Sequence, residues 1–125
     1  MQFDTDVLIW FLRGHSGAAR SIENTRERYI SVISYMELLQ GARDKKESRI
    51  IKGFLSDFNF QTLPLTENIG HRALIYIEEY GLKVAMCVAD AIVAATAVEN
   101  QLTLATANRK HYRAIADLDI NVFRP

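Results

Sequence analysis

Four short stretches hold residues that could do acid chemistry together: Asp4-Thr5-Asp6, Ser34-Tyr35-Met36-Glu37, Asp90 within Val88–Val98, and Thr106-Ala107-Asn108. No lysine or arginine falls inside any of them. Carboxylates gathered at one place repel one another unless a cation stands between them. Ligands that are carboxylate, hydroxyl and amide oxygens suit magnesium or manganese, whereas the single cysteine, Cys87, and the scattered His15, His71 and His111 offer no zinc spacing. Such an ion polarises a phosphoryl oxygen and makes a bound water nucleophilic, which is the chemistry of phosphodiester hydrolysis. Each acid also has a structural alternative. Asp90 would neutralise the N-terminal end of a buried helix, Ser34 and Glu37 have the spacing of a capping box, and Asp6 would cap the first helix.

The elements that must position these residues read as an alternation. A very short strand from Met1 to Phe3 hands over at Asp4-Thr5-Asp6 to a helix whose Val7–Leu12 run is apolar throughout. That is more than one face of a two-turn helix can use, so protein or a partner covers it on more than one side. The pattern predicts a second helix from Ala18 to Arg28, a strand over Tyr29–Ile33, and a helix from Ser34 to about Arg43. The charged run Asp44–Ser48 separates that helix from another over Arg49–Phe58. A third strand over Phe60–Leu65 leads to a long helix from Thr66 to Tyr80, capped by Thr66, ended by Gly81, with Ile69, Ala73, Leu74, Ile77 and Tyr80 inward. The Asp90 helix follows, with apolar residues on all sides and therefore buried on most of them. Leu102–Thr106, a short basic helix from Asn108 to Tyr112, and a last strand over Ile120–Phe123 complete the chain. Short, mostly apolar strands between helices imply an α/β domain with a parallel sheet covered on both faces. Ligands bind such sheets beyond the carboxyl ends of the strands, where strand order reverses. Asp4 and Asp6 follow the first strand, Glu37 the second, and Thr106 with Asn108 the fourth.

At 125 residues this is one domain, residues 1–125, able to bury a core without a staple. Fifteen basic and fifteen acidic residues leave no global field to recruit nucleic acid, so RNA would be bound through a local patch. No apolar run approaches a membrane span and no secretory pattern opens the chain, which together imply a cytoplasmic protein with no membrane partner. Repeats, linkers and low-complexity segments are absent.

The segments Phe3–Trp10, Ser34–Ala42, Ala89–Ala97 and Leu104–Tyr112 resemble, in order and spacing, those of PIN-domain proteins, above all the VapC toxins of bacterial toxin–antitoxin pairs. D-x-D and S-x-x-E are each common; four motifs in register are specific, and the likeness spans almost the whole chain. It implies a three-layer domain on a five-stranded parallel sheet. It also implies a magnesium- or manganese-dependent endoribonuclease that hydrolyses RNA by a metal-activated water. The resemblance further implies a homodimer or higher oligomer, neutralised by a VapB-like antitoxin. Asp4, Glu37 and Asp90 match the family's acidic metal residues, and Thr106 its hydroxyl after the fourth strand. Asn108 departs from the pattern, standing where many members have a fourth acid. Asp6 also departs, where Asn or Ser is frequent; it either restores the missing charge as a further metal ligand or caps the helix. With only three residues before Asp4, an initiation site upstream of Met1 is an open expectation.

Arg109, Lys110 and Arg113 beside this constellation would hold the RNA backbone, the alternative being a solvated helix face. His111 matches a common family residue but reads as a surface histidine, and His15 and His71 have no recognisable partners. Tyr35 and Trp10 could stack on a base or pack in the core. Trp10, Phe11, Leu38 and Leu39, with Phe54, are expected to form a groove for the antitoxin's amphipathic segment. Two other classes compete. Asp4-Thr5-Asp6-Val7 also fits the D-x-D of a haloacid-dehalogenase-type phosphatase, and Asn108 would suit a binding module that holds RNA without cutting it. A receiver domain is disfavoured, because its essential lysine has no convincing counterpart.

Overall fold

The computed structural model describes all 125 residues. Its elements run β1 (Gln2–Phe3), α1 (Thr5–Leu12), α2 (Ser16–Glu23), β2 (Tyr29–Ser31), α3 (Val32–Gln40), α4 (Lys45–Asp57), β3 (Gln61–Leu63), α5 (Glu67–Tyr80), α6 (Val88–Glu99), β4 (Leu104–Thr106), α7 (Arg109–Tyr112) and β5 (Ile120–Val122). All five strands are parallel, in the order β3-β2-β1-β4-β5. β1 is central and only two residues long, yet it pairs Gln2 with Tyr29 on one side, and Gln2 and Phe3 with Leu104 and Ala105 on the other. The order reverses between β1 and β4, so the crevice beyond their carboxyl ends is where this topology leaves room for a ligand.

Side chains alternate across each strand, and the two cores follow that alternation. Phe3, Ile30 and Ala105 face one layer with Val7, Leu8, Leu38, Ile51, Phe54 and Leu55. Leu104 faces the other layer, with Ile69, Ala73, Tyr76 and the alanines of α6. Gln2 also lies on that side, where its Nε2 donates to the carbonyl of Val93 at 3.1 Å. In α6, Ala91, Val93, Ala94, Ala95, Thr96 and Ala97 are all buried, because small side chains let this helix lie close between the sheet and α5. No helix is long and apolar enough to cross a membrane.

Several boundaries differ from the sequence expectation. The strands are shorter, and after β1 and β2 the chain turns into a helix almost as soon as sheet pairing ends. α3 begins at Val32, because Ser31 is its cap: the Ser31 hydroxyl accepts from the Ser34 amide at 3.0 Å. Ser34 is therefore a buried first-turn residue, and the capping box with Glu37 does not form. The charged run after α3 starts the next helix, with Asp44 accepting from the Glu47 amide at 2.9 Å. α2 ends at Glu23 and does not reach Arg28, whose guanidinium instead donates to the carbonyls of Ile22 (2.7 Å), Glu23 (3.3 Å) and Phe58 (2.7 Å). At its other end His15 is the cap, its Nδ1 accepting from the Ala18 amide at 3.1 Å, which gives that histidine a structural role. On α5 the inward residue is Tyr76, whereas Leu74 is 55% exposed, one position off the buried stripe.

Candidate active site

Asp4 leaves β1 at the strand-order reversal, its amide anchored to the Ala105 carbonyl at 2.9 Å. It caps α1, accepting from the Thr5 amide at 2.9 Å through Oδ1. The Thr106 hydroxyl at the end of the neighbouring β4 donates to its Oδ2 at 2.8 Å. That hydroxyl also accepts from the Asn108 amide at 3.0 Å, so one threonine joins both sides of the crevice. Asp4 is 8% exposed. Burial, then the neighbouring Asp6 and, less, Asp90 raise its carboxyl from 3.8 to about 7, against the hydrogen bonds from Thr106 and Thr5.

Asp6 is occupied by the backbone. Oδ1 accepts from the Val7 amide at 2.7 Å, and Oδ2 from the Ala107 amide at 3.0 Å, pinning the first turn of α1 to the turn after β4. Burial raises its carboxyl too, opposed by these amides. This is not the free acid–base carboxyl that a D-x-D phosphatase needs.

Asp90, in the first turn of α6, is held by two side chains of α7. His111 Nδ1 is 2.9 Å from Oδ2, and the Tyr112 hydroxyl donates to Oδ1 at 3.2 Å. Tyr112 is 1% exposed, and burial with Asp4 and Asp90 beside it keeps its hydroxyl protonated well above the usual tyrosine range. The expectation of a surface histidine at 111 is thus corrected. A shared helical face for Asn108, His111 and Tyr112, three and four residues apart, was the signal that could have found both.

Glu37 stands apart on α3, exposed at the rim, where the Thr5 hydroxyl donates to its Oε1 at 2.8 Å. Thr5, which donates its amide to Asp4 and its hydroxyl to Glu37, therefore ties the rim acid to the buried one. The structure brings Asp4, Asp6, Asp90, Thr106 and Asn108 to one crevice, with Glu37 at its edge. No basic side chain pairs with Asp4, Asp6 or Glu37, and Asp90 meets only His111. Asp4, Asp90 and Glu37 are the acids that could hold a cation, and their oxygens suit a hard divalent one. As folded, no three acidic, histidine or cysteine side chains converge into a ready cage. Arg109, Lys110 and Arg113 are exposed on α7 and enter no ion pair, beside the crevice but not in it.

A groove of about 720 Å³ runs from Glu37 between α1, α3 and α4, lined by Ile9, Leu12, Arg13, Leu38 and Ile50 among others. Of the five apolar residues expected to line such a groove, only Leu38 does. Phe11, half-buried, stacks on the buried Phe54 at 4.5 Å, and Trp10 packs edge-on against His15 at 5.3 Å with Arg13 over its ring. Leu39 and Tyr35 pack against the same core from its margin. Helical geometry selects Ile9, Leu12 and Arg13 for the open face and turns Trp10 and Phe11 away from it.

The family model for the PIN domain matches residues 1–117. The chain is a PIN domain. A chain of a toxin–antitoxin complex from Klebsiella pneumoniae is similar to it, with 29% identity, a TM-score of 0.80, and coverage of 94% of this chain and 93% of that one. A chain of VapBC2 from Rickettsia felis, bound to a DNA fragment from their promoter, has 19% identity, a TM-score of 0.82, and 98% coverage of both chains. One from DNA-bound VapBC of Salmonella typhimurium has 20% identity, a TM-score of 0.80, and coverage of 97% and 96%. At those last two identities the likeness is one of fold. No curated protein matches the sequence. The PIN fold places the Asp4 crevice at the sheet's switch point without a single long strand, because caps and turns do the positioning.

Proposed function

We propose that this PIN domain is a magnesium- or manganese-dependent endoribonuclease, a VapC-like toxin held inactive by a VapB-like antitoxin. The observation that carries this reading is Asp4: a buried carboxylate, raised to about 7 by burial and by Asp6, bonded to Thr106 at the switch point with no basic side chain to offset it. A site so unfavourable to its own negative charge is suited to a cation. Asp4, Asp90 and Glu37 would hold the ion, with Asp6 adding charge behind them. When bound, it supplies polarisation of a phosphoryl oxygen and activation of a water for attack.

The chain's own residues do the rest. Thr106 spends its proton on Asp4 and so keeps that carboxylate turned toward the crevice. Asp6 holds the turn that carries Asn108, and Asn108 orients phosphate or water. Arg109, Lys110 and Arg113 attract the RNA backbone, which would make binding salt-dependent. Hydrolysis then leaves 5′-phosphate and 3′-hydroxyl ends. The similarity to the Klebsiella complex chain over nearly the full length supports the toxin reading. For this chain the antitoxin's apolar segment would lie in the groove of Ile9, Leu12, Leu38 and Ile50, ending near Glu37. The toxin reading also carries a homodimer or higher oligomer.

The test is cleavage of end-labelled structured RNAs by the antitoxin-free protein, in magnesium or manganese and again with chelator, beside Asp90→Asn. Discrete cuts that require both the ion and Asp90 are expected. Retention of RNA without cutting, in any of these ions, would replace the nuclease by a binding module.

A further inference from the structure

We propose that His111 is the positioning residue of this site: protonated on Nδ1, it fixes one oxygen of Asp90 and turns the Asn108 carboxamide so that its carbonyl, not its amino group, faces the ring. Two groups crowd Nδ1, Asp90 Oδ2 at 2.9 Å and the Asn108 group assigned as Nδ2 at 2.8 Å. A ring nitrogen carries either a proton or a lone pair. With a lone pair, Nδ1 would face a carboxylate oxygen and repel it. With a proton, it donates to Asp90, and an amino group at 2.8 Å would be a second donor aimed at the same hydrogen. Only a protonated Nδ1 with the Asn108 oxygen turned toward it leaves no clash. Which way an amide turns follows from the hydrogen-bond network around it.

Two consequences follow. Asp90 receives His111 at one oxygen and Tyr112 at the other, so its carboxylate plane is fixed while each oxygen keeps a further lone pair for a cation. Asn108 keeps its amino group on the side away from the ring, as a donor suited to a phosphate oxygen. This explains how asparagine serves where a fourth acid would add only charge. The hydrogen-bond arrangement stands on geometry alone; its effect on cation and RNA rests on the nuclease reading above.

The direct readout is a long-range proton–nitrogen spectrum of the histidines in the cation-free protein. A protonated His111 Nδ1 is expected, and an unprotonated Nδ1 would overturn the proposal. Two variants read the consequence. The amide nitrogen of His111→Asn can take the place of Nδ1–H, whereas His111→Leu has no donor. Manganese titrated by calorimetry should bind His111→Leu about tenfold more weakly than wild type and His111→Asn within about threefold of it. In RNA cleavage the leucine variant should lose kcat with KM little changed. A folded His111→Leu that binds manganese like wild type, or a His111→Asn as poor as leucine, would overturn the positioning role. Should leucine fail to fold, the spectrum and the asparagine variant still decide. A wild-type protein with a protonated Nδ1 that neither binds manganese nor cuts RNA would leave the arrangement standing and remove the nuclease reading instead.

Discussion

The two sides of the crevice are built on opposite terms. On the sheet side, Asp4 is buried and Asp6 half-buried, both bonded to the backbone and to Thr106 and both raised from the ordinary aspartate value by burial. On the α3 side, Glu37 is exposed and held by one hydroxyl, that of Thr5. Acids of the first kind belong to the fold as much as to any reaction, so removing one changes stability and chemistry together. An acid of the second kind can be removed with little effect on folding. Substitutions at Glu37 therefore report chemistry more cleanly than substitutions at Asp4.

The largest effect expected is on rate. Asp90→Asn should lower metal-dependent RNA cleavage by about a thousandfold, and Glu37→Gln by about a hundredfold or more, in single-turnover assays. Equal activity of Glu37→Gln and wild type would break the comparison by taking the rim acid out of the mechanism.

Next comes the pH dependence of stability. Because the Asp4 carboxyl is raised from 3.8 to about 7, the folded protein keeps a proton over that interval that the unfolded chain gives up. Stability from this group is full below the unfolded value and falls as pH rises toward about 7, by a few kcal/mol in chelator. Melting curves from pH 5 to pH 8 should show that slope, and Asp4→Asn should flatten it. A slope of the opposite sign would mean that Asp4 is stabilised as a charge.

Phe11→Glu should destabilise the free protein by roughly 2 kcal/mol, because its half-buried ring stacks on Phe54 at the edge of the core. Ile50→Glu, at 52% exposure on the groove, should leave the melting temperature nearly unchanged while weakening antitoxin binding. The reverse pattern would return Phe11 to the partner surface. The smallest effect separates the caps: Ser31→Ala should cost α3 about 1 kcal/mol, and Glu37→Gln less than about 0.5 kcal/mol in urea melts.

Much of this was legible in the chain. The alternation of short apolar strands with helices gave the parallel sheet, and the switch-point rule picked out Asp4, Thr106 and Asn108 from residues far apart in sequence. Less was legible where two residues compete for one local role. Ser31 and Ser34 both suit a helix cap, and only the end of β2 pairing chooses Ser31. The charged run at Asp44 looked like a break because its charges were counted before its capping geometry. Trp10 and Phe11 looked available because an apolar run gives no direction; their neighbours on α2 and α4 do. His111 read as a surface residue and Tyr112 drew no role because α7 is a single turn, and its spacing from Asn108 shows a shared face without showing that the face meets Asp90.

The bond between Thr106 and Asp4 joins residues 102 positions apart. On a chain made from its N-terminus onward, β1 and its acid emerge before the strand that completes the crevice and wait for it. A product cut short before β4 would retain Asp4, Asp6, Glu37 and Asp90 yet lack the hydroxyl and backbone amide that gather them. The fold thereby delays assembly of the crevice until β4 has been made.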